Sequence, residues 1–173
     1  LLVEALSKFG ANVTGIDISD VAINTAQIHA EKTNCDVTYI HGEAEDLLPE
    51  KKEQFDVVTC LEAIEHVPDP QQLVKTCSEL CKPGGTIVFS TINRNPKSFL
   101  FAIIGAEYIL NLLPKGTHEF KKFLKPSELS NMMRNSNLEV KEIIGMSYNP
   151  LTKKYWLGKD VDVNYMIHAE KSK

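Results

Sequence analysis

Hydrophobic and polar positions change period several times along the chain, and each change predicts an element. Leu2, Leu6 and Phe9, with Val3 and Ala5 between them, recur at helical spacing, and Gly10 ends that helix. Residues 12–17 are a short run closed by an acid, which reads as a buried strand ending in Asp17. Ser19 or Asp20 caps a second helix, where Ala22, Ala26 and Ala30 repeat every fourth position and leave a smooth face for packing on a sheet. Residues 37–40 form the next strand. Residues 55–60 form another, apolar enough to be covered on both faces, and the helix after it carries Leu73, Val74, Cys77, Leu80 and Cys81 on one side. Lys82-Pro83-Gly84-Gly85 predicts a tight turn, and residues 86–92 a strand.

This alternation of strand and helix implies a mostly parallel sheet with helices on both faces, because right-handed crossovers place them there. An apolar insertion follows at residues 98–113. Ser127 then caps another helix, and residues 138–146 and 161–169 read as two closing strands whose long connection suits an antiparallel pair. No repeat or interdomain linker interrupts the pattern, so residues 1–173 are expected to form one α/β domain, with the insertion occupying about residues 96–125.

Composition narrows the classes. Nineteen Lys and Arg against 23 Asp and Glu leave a net charge of −4, which argues against an electrostatic nucleic-acid binder. With 43% apolar and 24% charged residues the chain has globular composition rather than that of a disordered tail or coiled coil. Cys35, Cys60, Cys77 and Cys81 form no Cys-x-x-Cys pair and are expected to be buried free thiols in a reducing compartment. The opening Leu1-Leu2-Val3-Glu4-Ala5 has no basic region before it and reads as a helix entered in mid-course rather than a signal peptide. Without an initiator Met, the chain is expected to be a fragment.

In an open α/β sheet, ligands bind at the carboxyl ends of the parallel strands, which directs attention to three places. At Gly15-Ile16-Asp17, the carboxylate suits either the two hydroxyls of a ribose or a helix cap. At residues 41–46, backbone amides and Glu43 suit an adenine edge, or the segment is a surface loop. After the third strand, Glu62, Glu65 and His66 stand at i, i+3 and i+4, so a helical turn puts them on one face. Two carboxylates suit a hard cation such as Mg²⁺. His is a poor Mg²⁺ ligand, so His66 is also a candidate general base or structural donor.

The segments Thr14-Gly15-Ile16-Asp17, Phe55-Asp56-Val57-Val58, Glu62 through Pro70 and Lys82 through Gly85 resemble those of class I S-adenosylmethionine-dependent methyltransferases. Ser90-Thr91-Ile92-Asn93-Arg94, Gly105-Ala106-Glu107-Tyr108-Ile109, Pro114-Lys115-Gly116-Thr117-His118, Tyr148-Asn149-Pro150 and Val163-Asn164-Tyr165 are more specific. They resemble the ubiquinone-biosynthesis O-methyltransferase family. The resemblance implies a Rossmann-like three-layer sandwich with an antiparallel closing strand. It also implies a first strand and glycine-rich loop before Leu1 that this chain lacks. From that follow the expectations of a gap in the sheet and of weak or no cofactor binding by the chain alone.

Carried over by residue, the resemblance makes Asp17 the ribose acid, places Glu43 and Ala44 near adenine, and gives Leu61 a backbone contact to S-adenosylmethionine. Glu62, Glu65 and His66 match metal positions for Mg²⁺. Glu62, His66 and His118 are the candidate catalytic groups. The implied reaction is O-methylation of polyprenyl catechols and quinols in ubiquinone biosynthesis. The insertion is too short and too charged to span a bilayer, which takes about 20 apolar residues. It is expected to be a lid resting on the membrane surface, flanked by Lys97, Lys115, Lys121, Lys122 and Lys125. The expected location is the bacterial cytoplasm at the inner membrane, or the matrix side of the inner membrane in a mitochondrion, with other ubiquinone-biosynthesis proteins as partners. Alternative readings are a nicotinamide-dependent oxidoreductase, a methyltransferase for another small molecule, and a non-catalytic fragment serving as an assembly module.

Overall fold

The computed structural model describes residues 2–99, 120–149 and 152–173. They belong to two compact units, Leu1–Glu50 and Lys51–Lys173.

In the first unit, α1 (Leu2–Lys8) leads to β1 (Thr14–Asp17), α2 (Asp20–Thr33) and β2 (Thr38–His41). A 3₁₀ turn at Ala44–Leu47 runs into the short α3 (Leu48–Lys51). β1 and β2 pair in parallel, from Thr14↔Thr38 to Asp17↔His41. Helix α2 starts where Ser19 is extended and its hydroxyl accepts the Ala22 N–H at 3.2 Å. It ends at Asn34, whose φ of 51° is the left-handed stop. Its covered face runs through Ile23, Ala26 and Ala30, so Ala22 is left exposed. α1 departs from expectation more sharply. Leu2 and Phe9 are exposed, at 44% and 90%, and Glu4 is the buried residue. Both Glu4 oxygens meet His29 Nδ1, at 2.8 and 2.9 Å, and that pairing makes the buried carboxylate tolerable.

The second unit contains β3 (Phe55–Leu61), α4 (Pro70–Leu80), β4 (Cys81–Ile92), α5 (Pro96–Ser98), α6 (Pro126–Arg134), β5 (Leu138–Asn149), β6 (Lys154–Gly158) and β7 (Asn164–Lys171). Its sheet has the order β3-β4-β7-β5-β6, with β3 and β4 parallel and the other three pairings antiparallel. Asp69 caps α4 by accepting the Gln72 N–H at 3.0 Å, and Pro70 sits in its first turn, where its missing N–H costs nothing. α4 and α6 pack against the sheet around Ile64, Val74, Ile87, Phe89, Leu129, Met133, Tyr165 and Ile167.

Three local readings are corrected. Lys82–Gly85 is not a separate turn before the strand: β4 already begins at Cys81, the ladder passes from Phe55↔Cys81 to Val57↔Thr86, and the four residues bulge out of it. Gly84 has φ +75°, and a Cβ on Gly85 would stand 2.6 Å from Cys81 Sγ and 2.9 Å from the Asp56 carbonyl oxygen. Ser127 is not the cap of α6. Lys125 holds that place, and the Glu128 carboxylate accepts the Lys125 N–H at 2.9 Å. The long connection between the closing strands contains β6, which period alone did not reveal because its whole apolar run is exposed. Of the insertion, residues 100–119 lie outside the described residues, which leaves the proposed lid outside them as well. Among the described residues no helix is long and apolar enough to cross a membrane.

Candidate functional site

Each unit presents a polar constellation at the carboxyl end of its first strand. In the Leu1–Glu50 unit, Asp17 closes β1 and is exposed. Its Oδ1 accepts the Ser19 N–H at 2.8 Å, its carbonyl accepts the Gly42 N–H at 3.0 Å, and Oδ2 has no partner among the described residues. Ser19, not Asp17, is the cap of α2: one Asp17 oxygen orders the entry to the helix through the Ser19 N–H, and the other is left without a protein partner among the described residues. Beyond β2, the exposed Glu43 precedes the 3₁₀ turn that Ala44 opens. The Glu43 N–H donates to Asp46 Oδ2 at 2.9 Å, in a reciprocal capping box that fixes the turn. A Cβ on Gly42 would lie 2.8 Å from Asp46 Oδ2, so a larger residue there would displace the carboxylate that closes the turn.

In the second unit, β3 ends at Leu61, which pairs with Ser90 of β4. Glu62 follows in the left-handed region, with φ 53°, a conformation uncommon for a residue with a Cβ and frequent at functional strand ends. Four hydrogen bonds hold it there. The Glu62 N–H donates to the Ser90 carbonyl at 3.0 Å and the Ser90 hydroxyl oxygen at 3.1 Å. That hydroxyl donates to Glu62 Oε1 at 2.7 Å, and Asn164 Nδ2 of β7 reaches Oε2 at 3.4 Å.

Residues Ile64–His66 form a 3₁₀ turn. Because Glu62 lies before that turn in a left-handed kink, Glu62, Glu65 and His66 do not share one helical face. Glu65 turns inward, 3% exposed, where Oε2 accepts the Thr91 hydroxyl at 2.8 Å, while Glu62 and His66 stay on the surface. Among the described residues Glu65 Oε1 is buried without a hydrogen-bond partner.

These acids also act on their neighbours. Burial, with Glu65 and then Glu62 behind it, pushes the Cys60 thiol up to about 12. Burial, reinforced by Glu128, Glu65 and Glu62, holds the Tyr165 phenol neutral, and it donates to the Leu124 carbonyl at 2.9 Å.

Mg²⁺ does not fit the three residues as arranged. Among the described residues no group of three or more His, Cys, Asp or Glu side chains could hold a metal ion, because Glu65 points into the core away from Glu62 and His66. His118 lies outside the described residues. The sequence reading assigned no role to Ser90, Thr91 or Asn164, although all three lie in segments singled out for their resemblance.

Residues 1–89 match the family model described as a methyltransferase domain. A SAM-dependent methyltransferase of Methanosarcina mazei, 22% identical, superposes with a TM-score of 0.68 over 97% of this chain and 85% of its own. The fold and the acid-closed strand ends thus define a Rossmann-like class I S-adenosylmethionine-dependent methyltransferase, and the nicotinamide reading is set aside. The ubiquinone biosynthesis O-methyltransferase of Pseudomonas syringae pv. tomato is 58% identical over 98% of this chain and 73% of its own length. That of Marinobacter nauticus is 56% identical over 98% and 72%. The chain belongs to the ubiquinone biosynthesis O-methyltransferase family.

Proposed function

We propose that the protein transfers a methyl group from S-adenosylmethionine to a hydroxyl oxygen of a polyprenyl catechol, with Glu62 and His66 handling the acceptor. The observation that carries this reading is Glu62 itself: a strained acid at a strand end, with both carboxylate oxygens oriented by Ser90 and Asn164. S-adenosylmethionine supplies an electrophilic methyl on a sulfonium, so the O–C bond forms as the C–S bond breaks and two charges are neutralised. Low dielectric favours such a step.

In the first unit, Asp17 takes the ribose hydroxyls through its open oxygen, and the ordered turn at Glu43 and Ala44 meets the adenine. The phenol must lose its proton, and His66 at the end of the 3₁₀ turn takes it as general base. Glu62 accepts from the neighbouring hydroxyl and fixes which oxygen reacts. That positioning accounts for a large part of the rate, because well-oriented pairs reach very high effective molarity. No step runs through a metal.

A bilayer-borne quinol requires the enzyme to work at a membrane surface. Glu62→Gln is expected to lower kcat about 100-fold while leaving S-adenosylmethionine affinity within twofold. His66→Ala is expected to lower kcat about 10²–10⁴-fold, the usual range for losing a general base. Steady-state kinetics on a short-chain catechol, with the cofactor Kd measured separately, checks both. Unchanged kcat in the two variants removes these roles.

A further inference from the structure

The β5–β6 hairpin carries a surface that the proposed chemistry does not use. Tyr155, Trp156 and Leu157 on β6 are 68%, 51% and 58% exposed, and Tyr148 on β5 is 39% exposed. Tyr148 and Tyr155 are paired in the ladder and stack with ring centroids 4.4 Å apart. Leu157 pairs with Met146, so it lies on the tyrosines' face of the sheet, and Trp156 lies on the other face. β6 pairs only with β5 among the described residues, which makes it an edge strand. Exposed apolar edges are ordinarily guarded or covered.

The charge around this edge points to one occupant. Residues 146–159 contain Lys153, Lys154 and Lys159 and no Asp or Glu, in a chain whose net charge is −4. All three lysines are exposed, and none forms an ion pair among the described residues. The nearest acids in sequence, Asp160 and Asp162, are held by Lys97 Nζ at 2.9 and 3.0 Å, so these two acids and the four lysines together leave the hairpin and its flank with a positive excess, 4 − 2 = +2.

Aromatic rings with one polar end, set between cations, match the headgroup layer of a bilayer with anionic lipids. We propose that the β5–β6 hairpin docks on an anionic lipid surface, with Tyr148, Tyr155, Trp156 and Leu157 at headgroup depth and Lys153, Lys154 and Lys159 on lipid phosphates. The unpaired edge of β6 limits the depth, since its free N–H and C=O groups find partners among headgroups and water but not in hydrocarbon. This surface is separate from the insertion. Its purpose rests on the bilayer-borne substrate of the proposed function, whereas the residues that define it do not.

Trp156 is the one tryptophan in the sequence. The test uses the full-length protein with vesicles of phosphatidylcholine alone or with 30% phosphatidylglycerol, and the difference spectrum against Trp156→Phe isolates its emission. The expected result is a blue shift and cosedimentation with the anionic vesicles only. The apparent Kd should weaken about 100-fold in the Lys153→Glu/Lys154→Glu/Lys159→Glu variant and at high salt. Turnover of a short-chain soluble catechol without vesicles should be unchanged in that variant. An unshifted emission with anionic vesicles, equal binding to neutral ones, or a blue shift that tracks protein concentration and dimer formation without lipid each overturns the proposal. The last outcome assigns the edge to a second copy. Absent methyl transfer in every form would sink the substrate reading alone, because the vesicle result is read without turnover.

Discussion

Replacing Asp17 by Ala is expected to weaken S-adenosylmethionine binding by about 10²–10⁴-fold, because the two hydrogen bonds proposed from the ribose to a charged acceptor are lost, each worth about 1.5–3 kcal/mol. Asp17 sits where β1 stops, and the parallel register to His41 fixes the point from which its carboxylate projects. The same side chain orders the turn into α2 through the Ser19 N–H, so Asp17→Ala also lowers stability, by about 1 kcal/mol. Asp17→Asn separates the two roles. It keeps an oxygen for Ser19 and so retains the unfolding midpoint, yet it loses the charge and one acceptor, and affinity falls about tenfold or more. Calorimetric titration of the full-length protein checks this. An unchanged Kd in Asp17→Ala would leave only the role at the turn.

The second large effect is on stability. Phe89→Ala is expected to cost about 3–5 kcal/mol, the range for removing a fully buried aromatic ring. Phe89 is completely buried in β4, opposite Cys60 of β3 and Ile167 of β7, where α4 and α6 close over the sheet. Val57, on β3 of the same sheet, is 56% exposed, and Val57→Ala should cost no more than about 0.5 kcal/mol. Urea unfolding distinguishes the two by midpoint shifts at constant slope. A loss below 1 kcal/mol for Phe89→Ala would mean that the sheet centre repacks and that the core is misassigned.

Periodicity was sufficient where one face of an element is dry. The α4 stripe of Val74, Cys77 and Leu80 is buried as its spacing predicts, β7 carries alternating buried residues, and β4 is buried on both faces from Phe89 to Ile92. It failed where a polar residue took the inside place, as Glu4 of α1 does under the half-exposed His29 of α2, and where an element keeps its apolar side chains on the surface, as β6 does. The candidate site divides in the same way. Asp17 and Glu62 were legible as acids at strand ends, since chain order places them there. The expected face shared by Glu62, Glu65 and His66 was not, because a positive φ at Glu62 breaks helical spacing at its first residue. The restraints from Ser90, Thr91 and Asn164 come from strands 26 to 102 residues away in the chain, and no local pattern encodes contacts at such separations.

The protein is proposed to O-methylate a lipid catechol. Incubating the full-length protein with methyl-labelled S-adenosylmethionine and a polyprenyl catechol tests it most directly, with the product's labelled position read by mass spectrometry and NMR. The account predicts label on a ring oxygen, reduced about 100-fold or more in both Asp17→Ala and Glu62→Gln. Label on a ring carbon, or no transfer by protein that binds the cofactor, would contradict it.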